Sequence, residues 1–387
     1  MTNGRKLVVY VGPYAFPDGG AAARRIYGNC ISLKSAGYDV VVTSGQMSDE
    51  VDSKYNGIPV VSLSERRHED LPTLLKHLMY FSAGKVTVDW LNSLDKKPES
   101  IILYSGYSPY LFRLLPWAKK NGVKIIFDVV EWYDPPNLMA RFFSPYYMNI
   151  ELAMRYLIKR CDGLIVISDY LRRYYAPAVK NIVQVPPTVD LMNVSPSDLD
   201  RNQNSTKFVY AGTPGSKDAL SSIIAAVLKA DALGERVEFH IAGVPIDRLV
   251  DFLPSTDNNS DFVGRVVKCH GVLSHMDTMN LVKTSDYSII LRPDKRSIQA
   301  GFPTKFVESM AVGTPVIANL TSDLGRYLKD GFNGFVCPNS DIDSLVEVIK
   351  RCSQYNDREC MRLRARETAE SYFAPEVYSD EFLKLIG

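Results

Sequence analysis

Short apolar runs alternate with longer amphipathic segments along this chain, the pattern of parallel strands joined by helical crossovers. In the first half the runs fall at residues 6–11, 39–43, 58–63, 100–104, 124–127, 163–167 and 182–185, and each predicts a strand. Such near-continuous apolar runs suit strands covered by helices on both faces. The signal fades between Pro187 and Lys207, where the polar run 195–204 reads as an interdomain linker or a surface excursion. A second series follows at 208–211, 237–241, 266–270, 287–291, 315–318 and 334–336, then helices at 341–355 and near 357–372. Two α/β domains are thereby predicted, 1–190 and 191–374. Pro375 interrupts the last helix, and the amphipathic tail of 375–387 is read as crossing back onto the first domain, with an ordinary end helix as the open alternative.

Length agrees with the division, since 387 residues exceed the usual size of one hydrophobic core. With 46% hydrophobic and 23% charged residues, extensive disorder is excluded. The balance of 45 basic against 44 acidic residues gives no global field for nucleic acid, which is not expected as a partner. Residues 1–6 lack the order of a signal peptide, and no stretch approaches the roughly 20 apolar residues of a membrane span. The six cysteines are scattered without metal-ligand spacing, which fits a reduced compartment. The expected location is cytoplasmic, with any membrane contact peripheral.

Candidate chemistry sits at the strand ends. The first strand ends at Gly12, and Gly19-Gly20 then open a helix near Ala21. Paired glycines at a helix start let backbone N–H groups approach a phosphate or a sugar, with the helix dipole adding positive potential. A plain strand-to-helix turn accounts for the same residues without a ligand, because the G-x-G-x-x-G fingerprint is absent. The second domain opens alike, with Gly212-Thr213-Pro214-Gly215-Ser216-Lys217-Asp218. This is no Walker A loop, yet Lys217 at its mouth can neutralise a diphosphate as a point charge; a solvated first-turn lysine is the alternative.

The densest segment runs from Arg292 to Glu308, where a basic, glycine-containing loop leads to a helix beginning near Pro303. Glu308 falls one helical turn after Lys305, so a cation for phosphate and a carboxylate for sugar hydroxyls share one strand end, where open α/β sheets bind ligands. In the first domain Asp128 and Glu131 follow an apolar strand and precede a proline turn, a place for an acceptor-binding or proton-handling carboxylate. A helix cap or a surface ion pair would explain them equally well. The five histidines form no metal motif, and Gly106-Tyr107-Ser108 does not continue as G-x-S-x-G, so no metal ligand is assigned.

These residues carry a resemblance. Segment 301–318 resembles the signature of family 4 of the retaining GT-B glycosyltransferases, in which a glycine-phenylalanine loop leads to a helix carrying E-x-M-A-x-G-x-P-V-I. Residues 161–168 are similar to the family's "aD-x-ii-x-vS", 185–190 to "iPNGVD" and 330–336 to "dgxnGflv", and Gly212 with Lys217 fits the same order. Three positions depart. Of the family's two glutamates separated by seven residues, the first is Ala300 here and the second, Glu308, is kept. Thr213 stands where an arginine is common, and the first-domain histidine is absent. The stretch 127–135 instead resembles a "D-x-x-D-x-W-P" variant of bacterial surface-polysaccharide transferases, and Phe302-Pro303-Thr304-Lys305 a "P-S/T-K" subgroup.

The resemblance implies a GT-B fold, two Rossmann-like domains facing a deep interdomain cleft. It also implies transfer, with retention, of a sugar from a nucleotide diphosphate donor, UDP- or GDP-linked, to a glycan or lipid-linked acceptor in surface polysaccharide synthesis. No cofactor or metal is implied. Lys217, Lys305 and Arg292 would stabilise the departing diphosphate, Glu308 would hold ribose hydroxyls, and Thr304 with the Gly301, Phe302 and Pro303 loop would contact diphosphate or sugar. Gly19, Gly20, Gly212 and Thr213 complete the donor set, with Asp128 and Glu131 on the acceptor side. Ala300 and Thr213 motivate two alternatives, a non-catalytic nucleotide-sugar-binding protein and a GT-B-fold epimerase. Aromatic and basic residues of the first domain suit a membrane face: Tyr107, Tyr110, Phe112, Arg113, Trp117, Lys119 and Lys120, then Trp132, Arg141, Phe142, Phe143, Tyr146 and Tyr147. The same aromatics could instead fill a core.

Overall fold

A computed structural model describes residues 4–47, 52–65, 82–135, 137–193, 205–215, 218–254 and 262–387, the side chains of 140, 141 and 193 apart. The polar run 195–204 lies outside the described residues. The chain divides into a first unit, Met1–Thr188 with Pro375–Gly387, and a second, Val189–Ala374.

The first unit holds eight strands: β1 (Leu7–Val11), β2 (Asp39–Ser44), β3 (Asp52–Tyr55), β4 (Ile58–Ser62), β5 (Ser100–Tyr104), β6 (Lys124–Val129), β7 (Gly163–Val166) and β8 (Ile182–Gln184). Their order is β3-β4-β2-β1-β5-β6-β7-β8. Pairing is parallel, with Val8 between Val40 and Ser100, except for the antiparallel β3–β4 hairpin. β1 is central, and its Val8, Val9, Tyr10 and Val11 are wholly buried, which explains its unbroken apolar run. The apolar-run pattern misses β3, because Asp52-Ser53-Lys54-Tyr55 is an exposed edge strand with no side to bury. Its turn was nevertheless written in the sequence: Asn56 and Gly57 take φ of 47° and 75°, the all-positive pair of a type I′ hairpin.

The helix Gly20–Ser35 turns Ala23, Ile26, Cys30 and Leu33 into the core of this unit. Packed against it is the terminal helix Ser379–Ile386, whose Phe382, Leu385 and Ile386 join the same core. A Cβ on Gly163 would stand 2.6 Å from Leu385 Cδ1, and Lys124 Nζ donates to the Ile386 carbonyl at 2.6 Å. Burying three such side chains contributes about 1.5–3 kcal/mol each.

The second unit has six parallel strands: β9 (Thr206–Ala211), β10 (Val237–Ala242), β11 (Val267–Cys269), β12 (Tyr287–Ile290), β13 (Val316–Ala318) and β14 (Gly334–Val336), ordered β11-β10-β9-β12-β13-β14. Helices Leu220–Ala232 and Ile342–Ser353 supply Ile223, Val227, Leu345 and Ile349 to its core. In the helix Arg358–Tyr372, the buried Arg362 donates to the carbonyls of Ser285 and Lys283 at 2.8 and 2.9 Å. Burial brings the pKa of that guanidinium down to about 10.

Candidate functional site

In the second sheet the chain proceeds from β9 to β10 and β11 on one side, and from β12 to β13 and β14 on the other. The loops leaving β9 and β12 therefore diverge, which opens the crevice where open parallel sheets bind ligands. These loops carry Gly212 and Arg292. Gly212 has φ of +137°, a conformation that favours glycine, and a Cβ there would stand 2.5 Å from Lys305 Cε and push the end of the lysine aside. Lys305 lies in the first turn of the helix Thr304–Ala311. Its Nζ donates to Tyr210 Oη at 2.8 Å and to Asp218 Oδ2 at 3.3 Å, and stands 4.1 Å from the Tyr210 ring centroid. Burial pulls the pKa of this ammonium below the usual lysine value, Asp218 opposes that, and Arg292 adds to it. Burial and then Asp218 push the Tyr210 phenol upward.

Arg292 is buried, and Asn319, just past β13, grips its backbone at both ends. The Arg292 N–H donates to Asn319 Oδ1 at 2.9 Å, and Asn319 Nδ2 donates to the Arg292 carbonyl at 2.7 Å. Ser322 ties down the rest of the loop, donating from its N–H to Gln299 Oε1 at 2.9 Å and from its hydroxyl to the Gly301 carbonyl at 2.5 Å. Glu308, one turn beyond Lys305 and half-buried like Thr304, raises the lysine's pKa through its charge. The arrangement is two partly desolvated cations with a carboxylate alongside, able to take a charged phosphate and neighbouring hydroxyls.

Packing places the loop's other residues. The Phe302 ring lies among Phe306, Tyr327 and Phe373, with centroids 5.7–6.2 Å away, so a ligand contact at this residue falls to its backbone. Pro303 is buried ahead of the helix, Thr213 is exposed, and Ala300 is fully buried. Lys217 lies outside the described residues. Asn319, Tyr210 and Asp218 were not singled out as site residues, and the only sequence signal for Asn319 is a polar residue closing an apolar strand.

In the first sheet the corresponding divergence lies between β1 and β5. Gly12 has φ of +151°, and a Cβ there would meet the Tyr104 carbonyl oxygen at 2.2 Å, so the two loops touch through backbone. Gly19 is needed for the same reason, with Ala15 O 2.0 Å from its would-be Cβ, while Gly20 takes φ of +62°. Among the described residues no side chain caps the helix they open, and its first turn carries no acidic group. Beyond β5, Ser105, Gly106 and Tyr107 all take positive φ, at 62°, 68° and 43°. A serine and a tyrosine held there cost roughly 1–3 kcal/mol each, strain of the kind that clusters at ligand sites. Beside them is a small pocket, partly open to solvent, lined by Tyr104, Ser105, Tyr107, Phe127, Asp128, Val129, Val130, Glu131, Tyr133 and Met154. Burial, and then hydrogen-bonded Glu131, push the Tyr133 phenol well above its ordinary value.

Asp128 is held by partners from the first helix and β1. Its carboxylate accepts from Arg25 Nη2 at 2.7 Å and Nε at 3.0 Å, from Tyr10 Oη at 2.5 Å and from Asn29 Nδ2 at 3.2 Å. The Arg25 and Asp128 side chains are 5% and 0% exposed. Such a carboxylate is a buried counter-ion, and it lines the pocket together with Glu131. Arg25 also donates to the Val185 carbonyl at 3.0 Å, joining the helix to the segment just past β8. Its sequence signal is a charge set between Ala23 and Ile26 on an inward helix face. The aromatic set likewise divides: Tyr110, Trp117 and Trp132 are core residues, whereas Phe112, Phe142, Phe143 and Tyr146 are exposed.

Two parallel-sheet units with loop crevices at their switch points define the GT-B class of glycosyltransferase folds. The match "Glycosyl transferases group 1" covers residues 195–370 and "Glycosyl transferase 4-like domain" covers 20–188. WcaL of Escherichia coli (strain K12), a glycosyltransferase assigned to colanic acid biosynthesis, is 24% identical over 240 residues, 59% of this chain and 57% of that protein. Sucrose-phosphate synthase from Thermosynechococcus elongatus superposes with a TM-score of 0.72 at 15% identity over 98% of both chains. HepE of Anabaena, solved in complex with UDP and glucose, gives 0.64 at 13% identity over 98% of both. The chain belongs to the group 1 glycosyltransferases of family 4 type. No helix among the described residues is long and apolar enough to cross a membrane.

Proposed function

We propose that the protein transfers a sugar, with retention, from a UDP- or GDP-linked donor to a glycan or lipid-linked acceptor at the cytoplasmic face of a membrane. The observation that carries this is the Lys305–Arg292 pair at the second unit's switch point. Departure of a nucleoside diphosphate concentrates negative charge, and partly desolvated cations beside a helix start stabilise it more than they stabilise the bound donor. Glu308 serves the ribose hydroxyls, and Lys217 adds a further cation. In the first unit the Tyr133–Glu131 pair takes the acceptor hydroxyls. The departing phosphate helps deprotonate the acceptor, so no protein nucleophile is needed. The UDP and glucose of the HepE complex and the polysaccharide assignment of WcaL support this reading.

Lys305→Ala is expected to weaken nucleoside diphosphate binding by about 2 kcal/mol, roughly 30-fold, as for a lost charge-assisted contact. Calorimetry with UDP, GDP and ADP checks this and identifies the base; unchanged affinity for all three would remove the carrying observation. With cations already in place, turnover is expected to survive excess EDTA. Complete loss restored by Mg²⁺ or Mn²⁺ would reverse that part. Product analysis separates the alternatives, because an epimerase turns donor over without acceptor and a binding protein does not turn it over at all.

A further inference from the structure

The Lys305 ammonium of the proposed donor site has an anion beside it. Its Nζ donates to Asp218 Oδ2 at 3.3 Å and to Tyr210 Oη at 2.8 Å. The phenol, accepting from the ammonium, turns its own hydrogen to the Asp218 carboxylate. Three side chains thus close a circuit, with the ammonium 4.1 Å from the Tyr210 ring centroid. Side-chain exposure is 22% for Lys305 and 13% for Asp218, so water screens the pair weakly.

The local fold does not use this carboxylate. Asp218 stands two residues ahead of the helix Leu220–Ala232, whose N-cap position is Ala219, with no side-chain cap. Backbone bonds hold the loop instead: the Asp218 N–H donates to the Gly215 carbonyl at 3.2 Å, and the Ala219 N–H to the Leu291 carbonyl at 3.1 Å, next to Arg292. A carboxylate in this place works against anion binding, because a diphosphate drawn to Lys305 and Arg292 meets a like charge on the same ammonium. It also keeps that ammonium usable. Burial lowers the lysine's pKa and Arg292 adds to the fall, while Asp218 and Glu308 oppose it.

We infer that Asp218 is a positioning residue that competes with the donor's diphosphate for the Lys305 ammonium, holding that charge in place and loosening the nucleoside diphosphate that transfer leaves behind. The inference rests on the proposed donor site and adds what tunes it: nucleotide affinity is held below what the cations alone would give, which favours product release. Calorimetry with UDP and GDP on Asp218→Asn tests it at about pH 6.5, far below the ordinary lysine pKa. Affinity for whichever nucleotide binds is expected to rise about tenfold, with donor KM and the inhibition constant of the diphosphate product falling together. The alkaline limb of nucleotide binding should move to lower pH, because Lys305 without Asp218 loses its proton sooner. Asp218→Ala should shift both readouts in the same direction, and a carboxylate that only braced the loop would move neither. Unchanged or weaker binding by both variants overturns the inference, and so does an alkaline limb that stays in place. Lys305→Ala separates this result from the donor reading. If that variant binds as tightly as the wild type, the donor site itself fails; if it binds weakly while Asp218→Asn shows no gain, the role of Asp218 alone is rejected.

Discussion

Replacing Asp128 by asparagine separates a structural carboxylate from a catalytic one. The substitution keeps shape and hydrogen-bonding capacity toward Tyr10 and Asn29 but removes the charge that faces Arg25 at 2.7 Å. With the pair 5% and 0% exposed, water cannot take over, and the guanidinium is left desolvated. Breaking a buried pair from one side costs about 3–5 kcal/mol. For a folding unit of 150–250 residues each kcal/mol moves Tm by roughly 2–4 °C, so a fall of about 6–20 °C is expected by calorimetry. Removing both charges, Arg25→Met with Asp128→Leu, should cost less than either single change, because a paired hydrophobic replacement leaves no orphaned ion. A proton-handling Asp128 would behave otherwise: D128N would cut turnover by roughly 10²–10⁴-fold while Tm held. An unshifted Tm together with such a loss of turnover would refute the counter-ion assignment.

Gly212→Ala should both destabilise the second unit and weaken nucleotide binding, since φ of +137° strains any residue but glycine and a methyl group 2.5 Å from Lys305 Cε would displace the lysine's end; equal calorimetric affinity would count against that packing argument. Glu238 concerns pH. Burial pushes its pKa up, but Lys268 at 2.5 Å and Ser205 outweigh this and bring it down to about 2. A depressed carboxylate pKa contributes stability above the unfolded value of about 4.3, lost as pH falls from there toward 2. Because the pair is partly exposed the effect should be under about 1 kcal/mol, and melts from pH 2.5 to 6 should show Glu238→Gln flattening the acid limb; an unchanged limb would reject it.

The apolar runs determined the parallel strands and the two-unit alternation, because strands buried on both faces must be continuously apolar whatever surrounds them, and missed only the exposed β3 among the described strands. The loop and helix start between Arg292 and Glu308 were legible for a similar reason, since a glycine-containing polar stretch and Pro303 ahead of an amphipathic run mark a helix entry close together in sequence, while the phosphate chemistry remains the proposed reading. Where contacts span long stretches of chain, the sequence was silent. Arg25 and Asp128 lie 103 residues apart, so the same carboxylate reads as acceptor ligand or as counter-ion until β1, β6 and the helix Gly20–Ser35 are assembled. The tail had two readings because an amphipathic helix declares an apolar face without naming its partner; only the assembled first unit, with Phe382 and Leu385 in its core, decides. Aromatic residues behave likewise. Trp117 and Trp132 fill the interior while Phe142 and Phe143 face outward, and the difference lies in which neighbours cover each helix, a matter of tertiary contact alone.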